Sequence, residues 1–256
     1  MTRTNPVGLS RIASPAIGLV CVLALMGVAA ADAAGPRQEK VQFAQGASSA
    51  VIKGHLKGDA DVDYVVRAAA GQTLSVTLKE TNPQNYFNVM PPGSKGSAMF
   101  VGDTGEDYTG MLPSDGDYVV RVYLMRPAAR RGESSDYTLT IGVTGKPLAP
   151  LPAAQDALVS GTSYHATAKI KCVPAYETAT KDCDTSVIRR GHDGTATVDV
   201  AGAAENRSIL FVKGKPVASN ASRIDVLSSE RKGDVTVVKI GDSERYEVPD
   251  ALLTGG

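Results

Sequence analysis

The sequence predicts an all-β fold: an antiparallel β-sandwich or jelly roll in the N-terminal part, followed by a smaller β-rich domain held by one disulfide. Three observations carry this. Short runs alternate apolar and polar residues with a period of two, turn residues punctuate them at fairly regular intervals, and no long segment has helical period. In the run 72–80, Leu74, Val76 and Leu78 share one face while Thr73, Ser75 and Thr77 share the other, as in a half-buried strand.

The chain opens on what reads as an export signal over 1–33. Arg3 and Arg11 give a positive start, 16–28 is an apolar run broken only by glycines, and the small residues of 29–34 offer a cut after Ala31 or Ala33. Cys21 lies inside the apolar run behind Gly18-Leu19-Val20, a poor lipid-attachment signal. No later segment approaches the roughly 18 to 20 apolar residues that span a bilayer. The expected location is therefore periplasmic or secreted, without a membrane span.

The sandwich is expected over 41–145. Its candidate strands are 50–56, 63–68, 72–80, 86–90, 98–101, 117–125 and 137–143. Turns fall at Gly58-Asp59, Ala70-Gly71, Asn82-Pro83, Pro92-Gly93 and Asp115-Gly116. Tyr118, Val120, Val122 and Leu124 line one core face, and Tyr137, Leu139, Ile141 and Val143 another. A proline-rich linker, 146–155, comes next, its prolines favouring an extended, semi-rigid connection. The second domain, 156–250, has strand composition at 195–200, 208–212 and 235–240, with turn candidates at Gly214, Gly233 and Gly241. The tail 252–256 carries no strong structural signal. In an exported chain that loses Cys21 with its leader, Cys172 and Cys183 remain to pair, stapling a loop at 174–181 that has little to bury.

Twenty-seven basic residues balance 27 acidic ones, so bulk attraction to nucleic acid is not indicated and electrostatic recognition has to be local. The three histidines form no H-E-x-x-H pattern, there is no G-x-S-x-G elbow, and the stretch 142–146 is too short for a phosphate loop before Pro147. The reading is a binding protein, not an enzyme, with no cofactor and no metal site. The one metal alternative is Asp59, Asp61 and Asp63, a D-x-D-x-D cluster able to offer hard oxygens to calcium. The fuller calcium-loop pattern fails, with Tyr64 at the sixth position and Ala70 at the twelfth, and a polar turn is the preferred reading.

The candidate binding site is the loop between the runs 117–125 and 137–143. It holds Arg126, Arg130 and Arg131, with no acid from 126 to 131. Extended, these arginines need not point together; coiled, the spacing of Arg126 and Arg130 brings both to one side. Guanidinium grips carboxylates two-pronged without risk of deprotonation, so the loop suits a partner with an acidic cleft. The bland alternative is a solvated loop neutralised by Glu133 and Asp136.

The run LPSDGDYVVRVYLMRPAARRGESSDYTLTI, with GDADVDYVVRAAAGQTLSVTL and YFNVMPPGS, resembles the periplasmic inhibitors of g-type lysozyme. The likeness covers roughly 42–145, fewer than half of the 256 residues. Several of its elements are shared with bacterial pre-peptidase C-terminal domains, noncatalytic modules of secreted peptidases. The resemblance implies a β-sandwich whose basic loop enters the lysozyme's substrate cleft, with Arg126 and Arg130 against its acidic groups and Arg131 as an auxiliary contact. Tyr64 is read as a core residue. One position departs: such inhibitors present an aromatic residue after the glycine matching Gly58, where this chain has Asp59. The alternative is a noncatalytic adhesion or envelope-binding module of the pre-peptidase type, calcium-linked through the three aspartates.

Overall fold

The computed structural model describes residues 1–2, 35–103 and 105–255; the export signal read over 1–33 lies, beyond its first two residues, outside the described residues. Gly35–Gly256 is one compact unit. Its first nine strands are β1 (Arg37–Lys40), β2 (Ser49–Lys57), β3 (Val62–Ala68), β4 (Thr73–Glu80), β5 (Asn85–Met90), β6 (Phe100–Val101), β7 (Tyr108–Met111), β8 (Gly116–Leu124) and β9 (Ser134–Thr144). They form two facing sheets, ordered β1-β3-β8-β5-β6 and β2-β9-β4-β7. Every pairing in them is antiparallel except β1 on β3, which is parallel.

The core of the sandwich follows from the period of two. Tyr118, Val120, Val122 and Leu124 of β8 and Tyr137, Leu139, Ile141 and Val143 of β9 are all buried, as their alternation predicts. Two tyrosines close the layer with their polar ends: the hydroxyls of Tyr64 and Tyr137 lie 2.8 Å apart inside the core. Gly54, opposite Tyr137 on β2, leaves room for that ring, because a Cβ there would fall 2.3 Å from it. Tyr118 donates its hydroxyl to the Ser114 carbonyl at 2.8 Å, and burial pushes its pKa up to about 12.

The remaining strands are β10 (Ala166–Val173), β11 (Lys181–Arg189), β12 (Ala196–Val200), β13 (Arg207–Val212), β14 (Lys215–Ser219), β15 (Leu227–Lys232), β16 (Val235–Ile240) and β17 (Glu244–Pro249). They make one antiparallel sheet ordered β14-β13-β12-β11-β10-β17-β16-β15, whose two edge strands approach each other so that it nearly closes into a barrel. Val187, Val198, Ile209, Phe211, Val238 and Val248 fill it. A buried ion pair also sits inside: Arg207 grips Glu244 two-pronged at 2.6 and 2.8 Å, and Tyr246 donates to the same carboxylate at 2.7 Å. The Cys172–Cys183 disulfide is present, joining β10 to β11 across a hairpin with its Cα atoms 6.0 Å apart.

Two segments have partners that the sequence does not show. The tail is ordered as a helical turn at Asp250–Thr254, with Leu253 buried against the barrel and Arg189 donating to the Leu252 carbonyl at 3.0 Å. The proline-rich connection is packed in place. Leu148 packs against Ala70, Leu210 and Ala218, while its amide donates to the Ala70 carbonyl at 2.9 Å. Arg190, its side chain fully buried, donates to the Leu148 carbonyl at 2.6 Å, to Asp115 at 3.0 Å and to the Thr197 hydroxyl at 2.9 Å. That hydroxyl in turn donates to the Pro113 carbonyl at 2.8 Å. Sandwich and barrel are thus fastened through one buried guanidinium.

Candidate functional site: an arginine turn on a rigid rim

Between β8 and β9 the chain coils for one short turn, α1 (Arg126–Arg130). Pro127 falls in the first turn, where its missing N–H costs no helical bond. Gly132, at φ +69°, ends the turn and donates to the Ala129 carbonyl at 2.9 Å. Ala128 and Ala129 are buried, and their small side chains let the turn lie flat on the sandwich. Gly58, at φ +59°, passes just outside Ala129 and donates its amide to the Glu133 carbonyl at 2.9 Å. The arginines are therefore displayed from an anchored turn.

The three arginines have different fates. Arg126 and Arg130, both exposed, stand one turn apart on the same side, and neither has a carboxylate within 4.0 Å among the described residues. Arg131 is spent internally: its Nε donates to Glu133 at 2.6 Å. Glu133 also accepts from the Asn82 amide at 2.9 Å, and hydrogen bonds from Asn82 and then Arg131 hold its carboxyl below the usual range. Asp136, the other acid named as a neutraliser, instead faces His55 at 2.8 Å.

Beside Arg126 lies a cavity of about 460 Å³ bordered by Asp59, Asp61, Tyr123 and Met125. Burial raises the Asp61 carboxyl, Arg121 opposes this, and Asp63 and Asp59 push it further up. The residue that departs from the inhibitor pattern, Asp59, is thus on the same rim as Arg126. Asp63 is neither solvated nor capping an amide. It is buried, and both its oxygens accept from Arg121, at 2.7 and 2.8 Å. The three aspartates consequently do not assemble as calcium ligands, and no group of three His, Cys, Asp or Glu among the described residues is arranged to hold a metal. Neither Arg121–Asp63 nor Arg190–Asp115 was legible in the sequence, since each joins residues more than 50 positions apart.

His165 is structural as well. Its Nε2 lies 2.9 Å from the Leu151 carbonyl and its Nδ1 accepts the Arg189 amide at 3.0 Å. Tyr64 is a core residue, as expected, and Tyr86 is half-buried on β5. Among the described residues no helix is long and apolar enough to cross a membrane.

No protein-family model matches the chain, and no curated protein sequence matches it. It is similar to the solved structure of PliG from Aeromonas hydrophila, a periplasmic inhibitor of g-type lysozyme, at 36% identity over 42% of this chain and 96% of that one, TM-score 0.40. A mutant of the corresponding Escherichia coli inhibitor matches at 26% identity over 43% of this chain and 99% of that one, TM-score 0.34. The pre-peptidase C-terminal domain of a Bacillus anthracis collagenase matches at 13% identity over 43% and 96%, TM-score 0.31. The inhibitors match a segment that makes up 42 to 43% of this chain. By its 36% identity to an inhibitor spanned almost end to end, the chain belongs, through this segment, to the family of periplasmic inhibitors of g-type lysozyme.

Proposed function

We propose that the protein is an exported, noncatalytic binder that inhibits a g-type lysozyme by seating α1 in the enzyme's substrate cleft. The observation that carries this is the pair of exposed guanidiniums, Arg126 and Arg130, uncommitted within the fold and one turn apart on an anchored turn. In a confined groove, carboxylates facing such a pair interact more strongly than at an open surface. Arg131 acts indirectly, by tying the end of the turn to Glu133. Export is supported by the leader read over 1–33 and by the disulfide. The division at 146–155 into an inhibitory unit, 41–145, and a second unit, 156–250, belongs to the same proposal.

The test titrates the protein into a lytic assay of purified g-type lysozyme, with c-type lysozyme as control. Dose-dependent loss of lysis confined to the g-type enzyme is expected. The double substitution Arg126→Ala, Arg130→Ala should raise the inhibitory concentration at least about 100-fold, each buried charged contact being worth roughly 2 kcal/mol or more. Its melting temperature should stay within about 2 °C of the parent, because both side chains are exposed. Undiminished potency in that variant removes α1 from the mechanism.

A second reading, an envelope-binding module of the pre-peptidase type, is favoured by Asp59 on the rim beside Arg126. Its calcium-linked form loses support, because Arg121 occupies both oxygens of Asp63. Absence of inhibition of g-type lysozyme, with retention on cell-envelope material, is the outcome that selects it.

A further inference from the structure

A single turn of helix does not hold itself in water. α1 has five residues, and no side chain caps its start. Much of what holds it lies some 40 positions earlier, in the turn Asn82-Pro83-Gln84-Asn85 between β4 and β5. The Asn85 amide closes that turn by donating to the Asn82 carbonyl at 2.9 Å, and Pro83 stands at its second position, where a fixed φ suits the bend. The Asn82 side chain stiffens it further, its Oδ1 accepting the Gln84 amide at 2.9 Å.

This turn brackets α1 from both ends. At the start, the Gln84 carbonyl accepts the Met125 amide at 2.8 Å. At the finish, Asn82 Nδ2 donates to Glu133 Oε2 at 2.9 Å and to the Ser134 carbonyl at 3.3 Å. The other oxygen of Glu133, Oε1, accepts from Arg131 Nε at 2.6 Å. The main chain of Glu133 is fastened as well: its amide donates to the Ala128 carbonyl at 3.2 Å, and its carbonyl accepts from Gly58 at 2.9 Å. Glu133 thus ties α1 to both neighbouring loops. Left free, a carboxylate at this place could fold over the cationic turn and compete with an acidic partner. With one oxygen on Asn82 and one on Arg131, it is held away from Arg126 and Arg130, neither of which lies within 4.0 Å of it.

We infer that Asn82 and Glu133 are positioning residues of the binding site, which act through α1 by fixing its seat and with it the direction of Arg126 and Arg130. The inference rests on the docking of α1 proposed above. It also makes a prediction opposite in sign to that of charge alone. Removing an acid beside a cationic turn strengthens its attraction for an acidic cleft. Removing a positioning residue weakens binding, because a turn that must be ordered on docking gives up affinity to that ordering.

The test uses three variants of the full chain, with melting curves to show that each is folded. Glu133→Ala and Glu133→Gln remove the same charge, but Gln keeps an acceptor oxygen for Arg131. Asn82→Ser keeps an oxygen for the Gln84 amide and is too short to reach Glu133. In the lytic assay of g-type lysozyme, Glu133→Ala and Asn82→Ser should each raise the inhibitory concentration about fivefold or more, with Glu133→Gln between Glu133→Ala and the parent. Digestion with trypsin reads the turn without lysozyme. Cleavage after Arg130 and Arg131, in a segment whose sequence Asn82→Ser leaves intact, should quicken about fivefold or more in that variant. Should Glu133→Ala fail to fold, Asn82→Ser decides alone. Tighter inhibition by Glu133→Ala, equal potency of the two Glu133 variants, or unchanged potency or cleavage in Asn82→Ser each overturns the inference. If the parent itself does not inhibit while cleavage of Asn82→Ser quickens, the docking reading falls and the anchoring of the turn stands.

Discussion

Arg190 is the residue on which the fastening of sandwich to barrel turns, and replacing it by Met should show how strongly the two parts share stability. Its side chain is fully buried, while that of its partner Asp115 is 31% exposed. Removing the guanidinium strands the Leu148 carbonyl, takes one of two partners from the Thr197 hydroxyl, which keeps its bond to Pro113, and leaves Asp115 with only the Ala70 amide, at 2.8 Å. Breaking a buried pair from one side costs about 3 to 5 kcal/mol. Water can reach Asp115, and Met fills much of the Arg stem's volume, so the lower end, about 3 kcal/mol, is expected. For a compact unit of this size that corresponds to a fall in melting temperature of about 6 to 12 °C. Calorimetry on parent and variant reads the change directly. The parent should unfold in one transition, because both parts share this clamp; the variant should melt earlier and split into two transitions. A loss below about 1 kcal/mol with a single unchanged transition would refute the view that this guanidinium couples the two parts.

Two further perturbations follow from the same structure. Replacing Cys172 and Cys183 together by Ser opens a hairpin closed over a separation of 11 residues, which in the chain-entropy model removes about 3 kcal/mol; denaturant unfolding with and without reductant should show the loss in the parent only on reduction. Asp199→Asn should stabilise the protein at pH 7. The folded state raises this carboxyl, so the penalty of ionising it is absent below the unfolded value of 3.8 and grows as pH rises through the folded value. The advantage of the variant should therefore shrink as pH falls towards 3.8, and a gain that instead grows in acid would contradict the assigned burial.

What could be read from the sequence was whatever the side chains encode locally. The run from Tyr118 to Leu124 alternates cleanly because one face meets the opposing sheet, and β8 appears where that alternation places it. By contrast β1, Arg-Gln-Glu-Lys, has no apolar residue; its extended form comes from backbone pairing to β3, a partner more than 20 residues away. β15 is mostly exposed and is held through β16. The tail turn was hidden for a related reason: Leu253 is its one buried residue, and the Arg189 that meets its carbonyls lies on β11. Within the arginine loop, spacing allowed Arg126 and Arg130 to share a side. It could not reveal that Arg131 would be taken by Glu133, because that choice depends on how Gly132 bends the chain.

The same partition of charge makes Asp59 the sharpest test of how the rim works. Gly58 places Asp59 on the wall of the cavity that Arg126 also borders, so a partner's carboxylate approaching Arg126 meets a like charge alongside. Both groups are exposed in the free protein, where water and salt screen them, and Asp59→Asn should leave its stability almost unchanged. Once a cleft covers the rim, water leaves and the repulsion strengthens. If α1 docks as proposed, Asp59→Asn should tighten inhibition about tenfold, or about 1.4 kcal/mol, mostly at low salt. In the Arg126→Ala, Arg130→Ala background, the Asp59 substitution should no longer matter. Weaker inhibition by Asp59→Asn would mean that the acid itself contacts the partner, and that the rim recognises a basic as well as an acidic surface.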